Sequence, residues 1–174
     1  VTILTEKIIR QEIEKGNIKI EPYFPENIKA GSIDLHLGNT FRFFSPLKKT
    51  VAVKEDTDYR SVTKKLVLKE GETFLLMPGE TVLGITLERI TLSSGICGWL
   101  EGRSRFARLG LLVHISASFM QPGISSQQVL EMSNFGPAPL EIHPGTPVCQ
   151  FIFQRTEGTA SYEGRYKGQD SETW

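Results

Sequence analysis

The sequence predicts a mainly β fold, a sandwich or barrel with one helix at its start. Three observations lead there. Apolar and polar residues alternate over several short stretches, glycines and prolines cluster between those stretches, and only the stretch before Gly16 has a helical period.

The helix is the first element. Thr5 suits its N-cap, Glu6 suits its positive end, and Ile8, Ile9 and Ile13 form one apolar stripe. Gly16 is placed to stop it. Strands follow: "SIDLHLG" at 32–38 alternates strictly, as do parts of "TFRFF" at 40–44 and of "KLVLKEGETFLLM" at 65–77. Turn signals divide them, namely "EG" at 70–71, "PGE" at 78–80, "QPG" at 121–123, "FGPAP" at 135–139 and "HPG" at 143–145. The charged segment 48–65 reads as an exposed excursion. From Thr156 onward the chain is polar and glycine-containing without apolar period, a tail that is mobile unless something holds it. With no internal repeat and no interior boundary, residues 1–155 read as one β domain and 156–174 as its tail.

Composition excludes several classes. The 174 residues are enough for one domain with a sizeable core. Twenty Lys and Arg balance twenty Asp and Glu, so no general polyanion surface is expected, and neither is nucleic acid as a partner. Apolar runs are short and the first residues lack a signal-peptide pattern, which points to a soluble, cytoplasmic protein with no membrane contact. Cys97 and Cys149 each lie in an apolar stretch and read as buried reduced thiols rather than a disulfide. His36, His114 and His143 do not pair at helical ligand spacing. The H-x-E and P-C-x-x-C elements of zinc deaminases are absent, so no protein-bound metal is expected.

Three stretches could carry chemistry. In "EGRSRFARLG", residues 101–110, Ser104 can cap a short helix over 105–109, with Phe106 and Leu109 on one face and Gly110 at its end. Arg103 and Arg108 beside that helix start would offer bidentate donors to phosphate oxygens. The alternative is a surface helix whose arginines meet solvent or carboxylates. In "ASFMQPGISSQQVLEMSN", 117–134, a strand leaves the "QPG" turn and carries Val129 and Glu131 on one face. Glu131 is either solvated or, if buried, raised toward neutrality and equipped as a general base. In the tail, Tyr162, Arg165, Tyr166, Lys167 and Gln169 mix aromatic, cationic and amide groups, which suits a segment folding over a nucleotide or one with no role.

Taken in order, these stretches resemble the dCTP deaminase branch of the trimeric dUTPase-like superfamily. "GSIDLHLGN" is similar to its S-x-D-L-x-L-G strand and "LLMPGETVLGITLERITLS" to its P-G-E-x-x-L-x-x-T-x-E segment. "EGRSRFARLGLLVHISASF" resembles the phosphate motif G-R-S-S-x-x-R-L-G-L-x-V-H-x-T-A-x-F. "LEMSNFGPAPLEIHPGTPVCQFIF" resembles L-E-L-S-N-x-G followed by P-G-x-x-I-x-Q, and "YKGQ" the tail motif.

The resemblance implies a distorted barrel or jelly-roll-like subunit, a homotrimer with active sites between subunits, and a magnesium-bound nucleoside triphosphate as substrate. It places Arg103, Ser104 and Arg108 on the triphosphate, with Arg105 beside them. It makes Glu131 the catalytic glutamate, with Val129 among the nucleotide contacts and Ala117 holding the attacking water through its backbone. Tyr162, Arg165 and Gln169 would belong to the closing tail. The implied activity is zinc-independent deamination of dCTP to dUTP and ammonia. Three positions depart from the pattern. Gln121 stands where relatives have an aspartate that touches the 3′-hydroxyl and, in dUTP-hydrolysing members, activates water; an amide cannot act as a base. Arg105 replaces a serine, and Ser126 falls where glycine is common and would be strained at positive φ. A dUTP diphosphatase or bifunctional enzyme releasing dUMP and pyrophosphate, and a nucleotide-binding paralogue without turnover, remain as the other readings.

Overall fold

The structure is a computed structural model describing residues 2–45, 50–114 and 116–174. Residues 48 and 49 of the charged excursion, and Ile115 at the end of "LLVHI", lie outside the described residues. The first half of the chain contains α1 (Glu6–Glu14), β1 (Ile18–Glu21), β2 (Ile33–Phe44), β3 (Thr63–Val67), β4 (Phe74–Leu76) and β5 (Thr81–Leu92). The second half contains β6 (Ile96–Gly102), α2 (Ser104–Ala107), β7 (Leu111–Val113), β8 (Phe119–Met120), β9 (Ser125–Asn134), β10 (Leu140–Ile142) and β11 (Pro147–Arg155). The fold is mainly β, as the alternation predicts.

Among the described residues nine strands make one antiparallel sheet, ordered β7–β9–β5–β2–β11–β6–β8, with β1 beside β5 and β3 beside β2. β4 and β10 pair separately. Only residues 114–118 join β7 to β8, the two ends of that path, so the sheet has to curl until its ends meet. Long strands bend at bulges. The β2–β5 register shifts between Leu37 and Phe41, and Gly38 lies at that shift. A Cβ on Gly38 would sit 2.9 Å from the Ile85 carbonyl oxygen, so a side chain there would push the two strands apart.

The core fills the curl. Phe41, Phe151, Phe153, Ile33, Leu35 and Leu37 are all essentially inaccessible. The alternation in "SIDLHLG" does not leave its polar face in water. Asp34 is buried against Arg103, and His36 meets the buried Glu88 through its backbone N–H (2.9 Å) and Nδ1. Burial pushes the Glu88 carboxyl upward, partly opposed by the His36 hydrogen bonds.

α1 keeps its predicted limits. Thr5 occupies the N-cap without a side-chain bond, Ile9 is fully buried, and Gly16 follows the C-cap at φ +75°. Ile8 and Ile13 pack against the core. Among the charged residues of the helix, Glu12 is 1 % exposed and binds Arg155 of β11 at 2.9 Å, Lys15 at 3.0 Å and Asn17 at 2.7 Å.

Four expectations are corrected. α2 spans Ser104–Ala107 rather than 105–109, and Arg103 takes the cap position. The Arg103 carbonyl accepts from Phe106 and Ala107, which moves the helix start one residue earlier. Phe106 packs on the core while Leu109 is 58 % exposed, so they do not share a buried face. The excursion ends sooner than residue 65, because Thr63–Val67 add β3 to β2. Ser126 is not at positive φ: it lies within β9, and the positive φ of that turn belongs to Gly123. Both cysteines are free and buried, as expected, and burial raises both thiols above their ordinary range.

Candidate active site

β9 alternates along its whole length, which puts Val129 and Glu131 on the same face. That face forms one wall of a cavity of about 590 Å³. His114 lies beside Glu131, β8 and Gln121 close a second side, and Tyr162, Tyr166, Gln169 and Trp174 cover the third. Ala117 reaches the mouth and is exposed. The cavity therefore collects Glu131, Val129, Ala117, Gln121, Tyr162 and Gln169 from the predicted residues.

Glu131 is neither solvated nor buried outright. Its side chain is 37 % exposed, yet Oε2 is inaccessible and lies 2.8 Å from His114 Nδ1. The distance is that of a hydrogen bond, but neither atom has a directed hydrogen-bond partner, so the approach is out of line. The second ring nitrogen of His114 is likewise buried without a partner. His114 is also the one non-glycine residue with positive φ (54°) among the described residues, and its N–H donates to the Glu131 carbonyl at 2.9 Å. Left-handed backbone at a residue with a Cβ costs about 1–2 kcal/mol. Strain and unsatisfied polar atoms meet at one place, beside Glu131.

The arginines are elsewhere. Arg103 Nη2 is 3.0 Å from Asp34 Oδ2, its Nη1 donates to the Pro147 carbonyl at 2.7 Å, and its Cζ lies 5.9 Å from the centre of the Phe106 ring. It is tied into the strand framework. Ser104, Arg105 and Arg108 are exposed and form no ion pair among the described residues. None of the four lines the cavity of their own chain. The geometry does not bring the predicted phosphate ligands to Glu131 within one subunit.

The tail runs along the barrel. Thr156 and Ala160 donate to the Gly95 and Ser94 carbonyls, Tyr162 donates to the Pro122 carbonyl, and the Gln169 carbonyl accepts from Gln127. Trp174 is 3 % exposed against Leu83 and Ile85, and its carbonyl accepts from Arg42 at 3.0 Å. Arg165 is exposed in an adjoining cleft of about 330 Å³ with Asp58, Arg60 and Lys167. Among the described residues, no three His, Cys, Asp or Glu side chains gather as metal ligands, and no helix is long and apolar enough to cross a membrane.

The sequence profile of the dCTP deaminase-like family matches residues 3–156. The chain belongs to that family. It is 36 % identical over 178 aligned residues to a dUMP-forming dCTP deaminase of Nocardioides sp. strain JS614, covering 98 % of this chain and 93 % of the relative. It is 40 % identical over 167 residues to a dCTP deaminase of Shewanella amazonensis, covering 91 % and 86 %. The solved 2′-deoxycytidine 5′-triphosphate deaminase of Agrobacterium tumefaciens shares the fold. Its TM-score is 0.68 at 18 % identity over 88 % of this chain, and this chain spans 48 % of that one.

Within this family member, sequence reasoning passes over several cavity residues, His114 and Trp174 among them. His114 is the histidine of the phosphate motif itself, but histidine spacing tests it only as a metal ligand and assigns it no role at the site. Trp174 has no local signal, because its burial depends on Leu83 and Ile85, far away in the chain.

Proposed function

We propose that this protein deaminates dCTP to dUTP and ammonia in pyrimidine deoxynucleotide metabolism, with Glu131 as general base. The observation that carries the reading is Glu131 itself, on β9 at the cavity wall with one carboxylate oxygen buried beside His114. Family membership over residues 3–156 supports it. Glu131 takes a proton from water held by the Ala117 backbone, and the resulting hydroxide adds to C4 of the cytosine ring. The C4–N3 double bond opens as the hydroxide adds; Glu131 then returns its proton to the amino group, the C4–N bond breaks to release ammonia, and the hydroxyl proton passes to N3, leaving a carbonyl at C4. The chemistry draws on no zinc. Magnesium enters with the nucleotide and offsets the charge of the phosphates.

The substrate's two ends fall to different groups of residues. Val129, Gln121, Tyr162 and Gln169 line the cavity and would surround the nucleoside. Ser104, Arg105 and Arg108 stand exposed, outside the cavity of their own chain, where they could serve a neighbouring one. A homotrimer with each site built from two subunits accounts for that separation. Arg103 would then act chiefly by holding α2 in place through Asp34 and Pro147.

A second reading has a specific observation behind it: relatives at 36 % and 37 % identity over 98 % of this chain are dUMP-forming. Gln121 in the cavity counts against it, because its amide cannot activate water. Purified protein incubated with magnesium and either dCTP or dUTP, with products separated by chromatography, decides between them. The expected result is dUTP from dCTP, no dUMP, and loss of turnover in Glu131→Gln with dCTP affinity kept. Appearance of dUMP and pyrophosphate would move the second reading to first place. An unchanged rate in Glu131→Gln would sink the mechanism, and no turnover of either nucleotide would favour a binding paralogue.

A further inference from the structure

Gln127 lies on β9 two residues before Val129, on the face that also carries Glu131. Opposite it β5 bulges: Ile85 pairs with Val129 and Arg89 with Gln127, so β5 runs longer than β9 across that step. At the bulge the side-chain amide nitrogen of Gln127 donates to the Thr86 and Leu87 carbonyls, at 2.8 and 3.1 Å. The amide oxygen faces the other way and accepts from the Ser171 N–H at 2.7 Å. Carbonyls can only accept and a backbone N–H can only donate, so both ends of this amide are fixed in orientation. The backbone of the same residue completes the grip, its N–H donating to the Gln169 carbonyl at 3.0 Å.

The end of the tail follows that grip. Asp170 Oδ2 lies 3.4 Å from Arg89 Nη2, and Asp170 Oδ1 accepts from the N–H groups of Glu172 and Thr173 at 3.0 and 2.9 Å. The Trp174 N–H donates to the Asp170 carbonyl at 3.0 Å, so residues 170–174 form one turn and Trp174 moves with Ser171. The Trp174 seat does not hold the turn by itself. Its indole N–H and the neighbouring Arg42 Nε are buried without a partner among the described residues, a desolvation cost that no hydrogen bond returns. We propose that Gln127 is a positioning residue for the nucleotide: it grips the tail rather than lining the cavity, and so keeps Gln169 on the cavity wall. The inference rests on the reading of that cavity as a nucleotide site. Every group in the clamp belongs to this chain, so the tail is ordered on folding rather than on binding, which lowers what the nucleotide must supply.

The test measures kcat and KM for dCTP in the wild type, Gln127→Met, Gln169→Ala and the double variant. Acrylamide quenching without nucleotide is followed in wild type and Gln127→Met, both carrying Trp99→Phe, which leaves Trp174 as the single tryptophan. Gln127→Met is expected to raise KM by about tenfold and keep kcat within about twofold, because a bound nucleotide still draws the tail into place. Added to Gln169→Ala, it should raise KM by no more than about twofold, since the residue it positions is already gone. Trp174 should become more open to the quencher. An unchanged KM, a loss of kcat with KM kept, effects of the two substitutions that multiply in full, or unchanged quenching each overturns the proposal. If Gln127→Met does not fold, Gln127→Lys decides. Its ammonium keeps the donors to Thr86 and Leu87 but cannot accept from Ser171, so the same rise in KM and quenching is expected, and their absence overturns the proposal. Should the wild type not turn over dCTP, the deaminase reading fails separately, and the quenching comparison, which needs no nucleotide, still tests the clamp.

Discussion

Arg103, Arg105 and Arg108 look alike in sequence but meet different surroundings. Arg103 neutralises Asp34, which is only 4 % exposed, and removing it would leave that buried carboxylate with only the more distant Lys29 ammonium, 3.9 Å away. Its role at the site is inseparable from the integrity of β2 and β11. Arg108 has no such partner and can change without cost to the core. It is therefore the cleaner probe of phosphate recognition. Arg108→Ala is expected to weaken dCTP binding by about tenfold or more, since a guanidinium offers two charge-assisted donors, and to leave the melting temperature within about a degree or two. Calorimetry checks the first and a thermal scan the second; equal affinity would count against a phosphate role. His114 is the converse case, a residue whose backbone is strained to keep its ring against Glu131.

At the scale of elements, α1 is held to the barrel by a stripe of isoleucines and by one charge cluster. Burial by itself would raise the Glu12 carboxyl, but hydrogen bonds from Asn17, Lys15 and Arg155 outweigh it and hold it at about 2. A carboxyl lower in the folded chain than in the unfolded one stabilises the fold above the ordinary carboxylate range. That contribution fades as pH falls from near 4.5 toward 2. Glu12→Ala is expected to cost about 2 kcal/mol at neutral pH, with the gap to wild type closing over that acid window. Urea unfolding at pH 7, 4 and 2.5 measures it, and a gap independent of pH would show that packing rather than charge docks the helix. The tail is held differently. Backbone hydrogen bonds lead it along the barrel, and Trp174 anchors it in the small cluster with Leu83 and Ile85.

For the molecule as a whole, the separation of α2 from the cavity is the controlling fact. Gly110 and Gly136 pack backbone to backbone at the turn after α2, where a Cβ on Gly110 would collide with Gly136. Beside that turn Leu109 and Phe135 stand 58 % and 77 % exposed. An apolar pair next to unpartnered arginines is a place where a second copy could seat, bringing its own Glu131 to those arginines. Subunit mixing tests this. Glu131→Gln and Arg108→Ala proteins should each be impaired alone, and co-refolding them in equal amounts should restore wild-type residues to about one quarter of the sites. Activity no greater than the sum of the two variants would place each site within a single chain.

Much of this was written locally. The "QPG" turn ahead of "QQVLEMSN" specified most of β9, the two-residue spacing of Val129 and Glu131 their shared face, Gly16 the end of α1, and the ordered motifs the family, because each depends on neighbouring residues or on their order along the chain. What only the tertiary structure decided is where polar groups find partners. Asp34 and His36 sit on what reads as a solvent face until Arg103 at the start of α2 and Glu88 of β5 arrive from far along the chain. Trp174 becomes a wall of the cavity only once the tail has brought it against Leu83 and Ile85. Periodicity reports which face of a strand is apolar; which group covers the other face depends on contacts between residues far apart in the chain, and no local pattern encodes those.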